Sequence, residues 1–426
     1  MNYLSKFPIL ILALALTTLN GCLQDECDAE QTYTRYDPIY VAPTDIRQDI
    51  AIQESVTLEN PGKIYYYKNY LLINEFEKGI HFYDNSNPAS PQSLAFLPID
   101  GNVDVAIRND HLYADNYVDL LTFDISDPLN PVLVDRIEEE FFYYGFEEDK
   151  GYIVGYEPTS ETRTISCQEN FGDMFWDGPV LFATAEANFN AVRTSNSSTP
   201  SGSNVGTGGS LARFTIAKDH LYMVSEYDLK VFDLEVPDDP RFITVNNIGW
   251  GIETIFPYQD NLFIGSRNGM FIMSIEEPGR PFMQGVFWHS NACDPVYVDG
   301  DYAYVTLRDG TECETFTNQL DVVDIRDLQN PLLVKSFEMH NPMGISVFEE
   351  HLFLCDNDEG LKIFDATDPN TVGDELVKRI NDFDAFDVIT LKEERVALVI
   401  GPDGFYQYDI DDPRNPIFLS KINVDR

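Results

Sequence analysis

Asp104-Val-Ala-Ile-Arg-Asn-Asp-His-Leu-Tyr-Ala-Asp-Asn116, followed by Asp119-Leu-Leu-Thr-Phe-Asp124-Ile-Ser-Asp-Pro128, contains one structural unit. An apolar run meets a polar turn, a second run follows, a third ends in Asp, and a Pro-punctuated loop closes it. A fourth, more polar run spans Val132 to Ile137. Outward from this stretch the pattern recurs. The apolar residue that opens the second run is Leu71, Leu112, Tyr152, Leu221, Leu262, Tyr302, Leu352 and Val396, at steps of 41, 40, 69, 41, 40, 50 and 44. Third runs close at Tyr83-Asp84, Phe123-Asp124, Phe232-Asp233, Met273-Ser274, Val323-Asp324, Phe364-Asp365 and Tyr408-Asp409. The unit around Tyr152 lacks this closure and carries the longest step.

Helical periodicity is nearly absent, and the short runs are rich in Tyr, Phe, Val and Ile, as strands are. Four short strands repeated about every 40 residues specify an all-β chain, a single β-propeller of four-stranded blades. A solenoid shares the period but needs shorter repeats and capping units. Eight blades of about 42 residues fill residues 49–426, whereas seven would leave a structureless excess of about 80; eight is the favoured count and seven the alternative. Ile50 to Val56 and Ile417 to Ile422 both read as outer strands, so one of them is expected to complete a blade shared by the termini and remove an open edge. In the recurring Asp-x-Ser/Thr/Asp-Asp/Asn-Pro loops, the first Asp is expected to accept a hydrogen bond from the backbone two residues on, while Pro stops the ladder.

The 72 Asp and Glu against 28 Lys and Arg give a formal charge of −44, which repels phosphate backbones and argues against nucleic-acid binding. At 43% hydrophobic and 13% aromatic residues, the chain has ample core-forming material and is not globally disordered.

Residues 1–21 read as an export signal: Lys6, then an apolar run from Phe7 to Leu19 too short to span a bilayer. The run ends in Leu19-Asn20-Gly21-Cys22, which resembles a bacterial lipobox with Cys22 as the acylated residue; an ordinary secretory signal with a chance Cys is the alternative. Leu23-Gln24-Asp25-Glu26 is similar to the surface-export signal of Bacteroidetes-type lipoproteins. This implies an outer-membrane, lipid-anchored, outward-facing protein. Residues 22–48 read as a tether whose later part docks on the domain.

Several blocks together resemble the LVIVD-repeat surface lipoproteins of Bacteroidetes: Pro61-Gly62-Lys63-Ile64-Tyr65, Ile73-Asn74-Glu75, Gly79-Ile80-His81, Asp84-Asn85-Ser86-Asn87-Pro88, Gly101-Asn102-Val103-Asp104 and Leu320-Asp321-Val322-Val323-Asp324. The resemblance runs from about Tyr36 onward and implies a β-propeller. It brings no catalytic residues.

In a propeller of this strand order, the loops before strand one and between strands two and three share a face, where ligands usually sit. An insertion, residues 157–210, falls between strands two and three of the expected third blade. Its first half holds Cys167, Phe171, Phe175 and Trp176 and its second half is rich in Ser, Gly, Thr and Asn, so it reads either as a lid or as decoration. Cys293 and Cys313 map to the same face of one blade, where a disulfide or two free thiols are both open; Cys355 reads as a buried thiol. Asp104, Glu253, Asp294 and Asp384 lie near first-strand entrances, with Trp288, His289 and His340 close by in sequence. A converging ring of oxygens would suit Ca²⁺, and a solvated acidic vestibule is the plainer reading. His111, His220 and His351 recur at the opposite end, spread over three blades, which argues against a transition-metal site. No nucleophile, zinc or phosphate-loop motif stands out. The functional expectation is a non-catalytic binding or scaffold module for protein or glycan partners, with no required cofactor; a metal-assisted hydrolase or lyase at the propeller axis is the alternative.

Overall fold

The computed structural model describes residues 28–166, 207, 208, 210, 212–289, 295–308 and 318–425. The chain divides into two units, Met1–Ile39 with Gly155–Glu186, and Tyr40–Val154 with Ala187–Arg426. Cys22, Cys167, Cys293, Cys313 and Asp294 lie outside the described residues, so the expected lipid anchor and disulfide do too, as does most of the expected insertion.

The second unit is all-β and propeller-like, as the periodicity indicates. Seven of its antiparallel sheets hold four consecutive strands each. Blade I runs from Pro61–Tyr67 to Gln92–Pro98, II from Val105–Arg108 to Val132–Ile137, III from Phe214–Ala217 to Arg241–Asn247, and IV from Ile252–Tyr258 to Phe282–Trp288. Blade V runs from Val296–Asp299 to Leu332–Glu338, VI from Ile345–Phe348 to Leu376–Ile380, and VII from Asp387–Leu391 to Ile417–Asn423. From blade II to blade VII, first strands of successive blades lie against one another. Blades I and II share a core cluster that includes Leu72, Phe82, Leu112 and Phe123.

An eighth sheet is present among the described residues, but its make differs. It is three-stranded, in the order Asp28–Val41, Gly151–Ser166, Gly145–Glu147. The hairpin expected at Tyr152 forms, yet it does not become a blade between II and III. The first strand of blade III packs directly on that of blade II, and Ala106 shares a cluster with Phe214 and Ile216. The sheet count of eight therefore holds, whereas the four-stranded blades number seven. The physical reason is the missing closure: without a third strand ending in a buried aromatic, this unit has no face to insert between its neighbours.

The closing residues show what the others gain. Phe123, Phe232 and Val323 are fully buried and Tyr83, Met273, Phe364 and Tyr408 nearly so, each large side chain contributing about 1.5–3 kcal/mol of burial. In six blades the Asp that follows accepts the amide two residues on, at 2.7–3.0 Å, as the loop motif implies. All seven blades also carry a β-bulge between strands three and four, which adds local twist. Asn109-Asp110 and Lys218-Asp219 both take positive φ at both turn positions, the geometry that matches hairpin twist.

The ends meet differently from the expectation. Ile417–Asn423 is the outer strand of a blade built wholly from C-terminal residues, and Gln53–Glu54 adds beyond the already complete blade I. No blade is shared by the termini. Blades VII and I instead pack through Ile389, Leu398 and Phe405 against Ile64, Tyr66 and Leu71. The side-chain amides of Asn85 and Gln407 exchange two hydrogen bonds, at 2.9 and 2.8 Å.

The later part of the tether docks within this unit. Ile46 is buried with Val118 and Tyr152, and Arg47 grips the buried Asp119 through Nε and Nη2, at 2.9 and 3.1 Å. In the first unit, Arg35 bonds Glu161 at 2.7 Å and Thr32 bonds Thr162 at 3.0 Å.

Candidate functional site at the propeller axis

The first strands line the axis, so residues at their starts are brought together by the fold. Asp104 immediately precedes the blade II strand Val105–Arg108 and is buried. Its carboxylate accepts Lys63 Nζ and Tyr65 OH from blade I, the Val105 amide at 2.8 Å and the Arg213 amide at 2.8 Å. Four donors from three blades satisfy it. Burial pulls the Lys63 ammonium below its ordinary range, with Asp104 opposing, and burial likewise raises the Tyr65 phenol. A carboxylate so engaged is held as a structural anchor. It is not placed to coordinate Ca²⁺, and the expected oxygen ring is corrected at this position.

Beneath Asp104, Asp115 Oδ1 accepts the Val103 and Asp104 amides, both at 2.9 Å. Burial pushes Asp115 up to about 7, the Asp104 charge adding to the effect and the two amides resisting it. Glu75 and Asp356 hold the same place in blades I and VI. Glu75 accepts the Glu59 and Asn60 amides at 3.0 and 2.6 Å, and Asp356 those of His340 and Asn341 at 3.2 and 2.6 Å. An acid ending strand two thus clamps the loop that feeds strand one.

Glu253 lies near the start of blade IV's first strand and receives Arg267 Nε at 3.1 Å. Burial raises its carboxyl, against the charges of Arg267, Arg308 and Arg213. The stem of Arg267 crosses Gly251, where an added Cβ would come within 3.0 Å of it, and its guanidinium lies 5.4 Å from the Trp250 ring. Trp288, from the last strand of the same blade, packs edge-on against Phe271 at 5.9 Å and is 63% exposed. Trp250 is 47% exposed. This blade therefore presents two indoles beside an Arg–Glu pair.

The remaining expected residues do not join them. Asp384 is exposed in the loop before blade VII. His340 pairs with Asp358 at 2.9 Å, and His289 tilts against Phe287 at 6.3 Å. Among the described residues no group of three or more His, Cys, Asp and Glu is placed to hold a metal. His111 and His220 turn back onto their own hairpins, bonding Asn109 O and Lys218 O at 2.8 and 2.7 Å. Cys355 is a buried free thiol, as expected.

The end of the expected insertion lies at the axis. Thr207 and Gly208 pair with Tyr66 and Tyr65 of blade I. Ser210 Oγ donates to Asp387 of blade VII at 3.2 Å and accepts the Ile345 amide of blade VI at 3.0 Å. Ala212 O takes the Ile255 amide of blade IV at 2.7 Å. With Arg213 on Asp104, the described residues between 207 and 213 touch blades I, II, IV, VI and VII. This stretch forms a polar crossing at the axis.

Lys63, Tyr65, Arg213, Trp250, Arg267 and Arg308 were not singled out by the sequence reading. With only 28 cations in 426 residues, Lys and Arg at the ends of strands were the available signal.

The LVIVD repeat model matches residues 101–138 and 291–339, so the chain carries LVIVD repeats, in the regions of blades II and V. No curated protein matches the chain in sequence. Among solved structures, the computationally designed Ika8 protein is similar at a TM-score of 0.50 and 10% identity, covering 88% of this chain and 91% of its own. A protein of unknown function from Desulfotomaculum acetoxidans gives 0.50 and 13%, covering 85% and 95%. A candidate 6-phosphogluconolactonase from Bacteroides fragilis gives 0.50 and 10%, covering 90% and 97%. At these identities the likeness is one of fold alone.

Proposed function

We propose that this protein is a non-catalytic binding module of the bacterial cell surface, a Bacteroidetes-type lipoprotein moored through acylated Cys22. Its axial face would engage a protein or glycan partner. The observation that carries this reading is the state of the axial charges: Asp104 is fully engaged by Lys63, Tyr65 and two amides, and Glu253 is paired with Arg267. Beside them stand the exposed indoles Trp250 and Trp288, and half-exposed aromatics suit stacking recognition. A metal-assisted hydrolase or lyase would require Asp104 and Glu253 as cation ligands, which these bonds oppose. Lipobox and acidic residues after Cys22 support the address.

The test is a pulldown from native outer membranes alongside a glycan array, using wild type and Trp250→Ala. A partner captured by wild type and lost in the variant is expected. Measured turnover of a substrate, or thermal stabilisation by added Ca²⁺ that Asp104→Asn abolishes, would overturn the reading. Palmitate labelling lost on Cys22→Ala checks the anchor.

A further inference from the structure

In a chain of formal charge −44 with 28 basic residues, cations gathered at one place need a reason. Lys63, Arg213, Arg267 and Arg308 come from blades I, III, IV and V, and all stand at the same ends of their blades: at or before strand one, or at and after the end of strand two. Among the described residues the carboxylates bonded to them are Asp104 and Glu253. Asp104 already balances Lys63 within a closed set of bonds. That leaves three guanidiniums from three consecutive blades around Glu253, with Arg213 and Arg308 within electrostatic reach of its carboxyl. Arg213 is exposed and Arg308 partly so. The result is a positive island inside a negative surface.

Two features narrow the occupant. Planar guanidiniums match a carboxylate's two oxygens, and Glu253 on Arg267 already demonstrates that fit within the site at 3.1 Å. The Trp250 ring lies against the same guanidinium and is half exposed, which offers a flat apolar face next to the charge. The body's own field disfavours polyanions: beyond about 8 Å at physiological salt it is screened, but any ligand carrying many charges must approach through it. A single carboxylate suffers least.

We propose that the axial end of the propeller binds a carboxylated saccharide, its carboxylate taken by Arg213, Arg267 and Arg308 and its ring face by the Trp250 indole. The proposal rests on the glycan arm of the binding reading. Glu253 acts as the resident counter-ion that the incoming carboxylate must compete with.

The test uses the purified full-length chain in titration calorimetry against three probes: trigalacturonate, a glucuronate-ended trisaccharide and sialyllactose. Each is paired with its methyl ester, which keeps the sugar and removes the charge. Binding of at least one acid is expected, with its ester weaker by about ten-fold or more. Arg213→Gln and Arg267→Gln should each weaken the acid by about ten-fold, and Glu253→Gln should tighten it. Arg213 is exposed, so its variant reports on binding without a folding defect, which a melting curve checks. Acids and esters binding alike, or neutral glycans binding while every acid fails, would overturn this proposal and leave the glycan-binding reading standing. No saccharide of either kind binding would overturn this proposal together with the glycan arm, while a protein partner recovered in the pulldown would still support the binding module.

Discussion

Replacing Asp104 by Ala removes the one carboxylate that faces the Lys63 ammonium. Lys63 is 6% exposed, and loss of one partner from a buried ion pair typically costs about 3–5 kcal/mol. Lysine chemistry sets a ceiling on the cost. The stranded ammonium can shed its proton, and neutralising a lysine of ordinary value 10.5 at pH 7 costs about 5 kcal/mol. Tyr65 and the Val105 and Arg213 amides lose an acceptor as well, so the expected loss is about 3–5 kcal/mol at pH 7. The sign of the pH dependence follows. In the variant the folded-state lysine value lies below the unfolded one, so the unfolded chain binds more protons and stability rises with pH. At pH 9 the neutralisation ceiling falls to about 2 kcal/mol, so the gap to wild type should narrow. The assay is urea unfolding followed by tryptophan fluorescence at pH 7, 8 and 9. Lys63→Met in the Asp104→Ala background should recover much of the loss, because no buried charge then remains. A single variant costing under about 1 kcal/mol, or a double variant no better than the single, would refute the reasoning.

Asp119→Ala strips Arg47, Arg136 and the Glu139 amide of a common, fully buried acceptor; a loss of about 3–5 kcal/mol is expected, with faster proteolysis near Arg47 as the specific readout. Asp115, raised to about 7, holds its proton more tightly folded than unfolded. It therefore costs increasing stability as pH rises from about 4 to 7, and Asp115→Asn should flatten the urea midpoint over that window. Asp84, Asp124 and Asp365 act in the opposite sense. Hydrogen bonds from Ser86, Ser126 and Thr367 hold them below the usual range, so their support is present above the ordinary value of 3.8 and is lost as pH falls through the lowered ones. Gly344→Ala should destabilise by about 1–3 kcal/mol, measured by thermal melting, because its Cβ would meet Asp387 Oδ1 at 1.7 Å.

The blades were legible because each is local. A strand such as Asp119–Asp124 sits beside its partners in sequence, and its buried Phe123 and loop-capping Asp124 advertise both the core and the turn. The Tyr152 unit misled for the same reason. Its hairpin obeys the local rule, Glu147 pairing with Gly151, while its place in the assembly depends on a third strand that Phe-Asp would have announced. The axial site was half legible. Asp104 and Glu253 were placed at strand entrances correctly, but their cations were not found. Lys63 lies 41 residues from Asp104, and the Arg213 amide that bonds it 109, and the long step before Leu221 hid the register of blade III. Charge balance across blades is a tertiary property, and the periodicity of one strand does not encode it.

Everything said of the axial face presumes that blade III follows blade II with nothing between them. The tips of these blades meet where Arg108 pairs with Asp219, on hairpins where side chains tolerate replacement. Combining Arg108→Cys with Asp219→Cys and applying a mild oxidant should yield an intramolecular disulfide and an unchanged melting temperature. Failure to cross-link, under oxidant and under a short bis-maleimide alike, would place another blade between the two and contradict the arrangement.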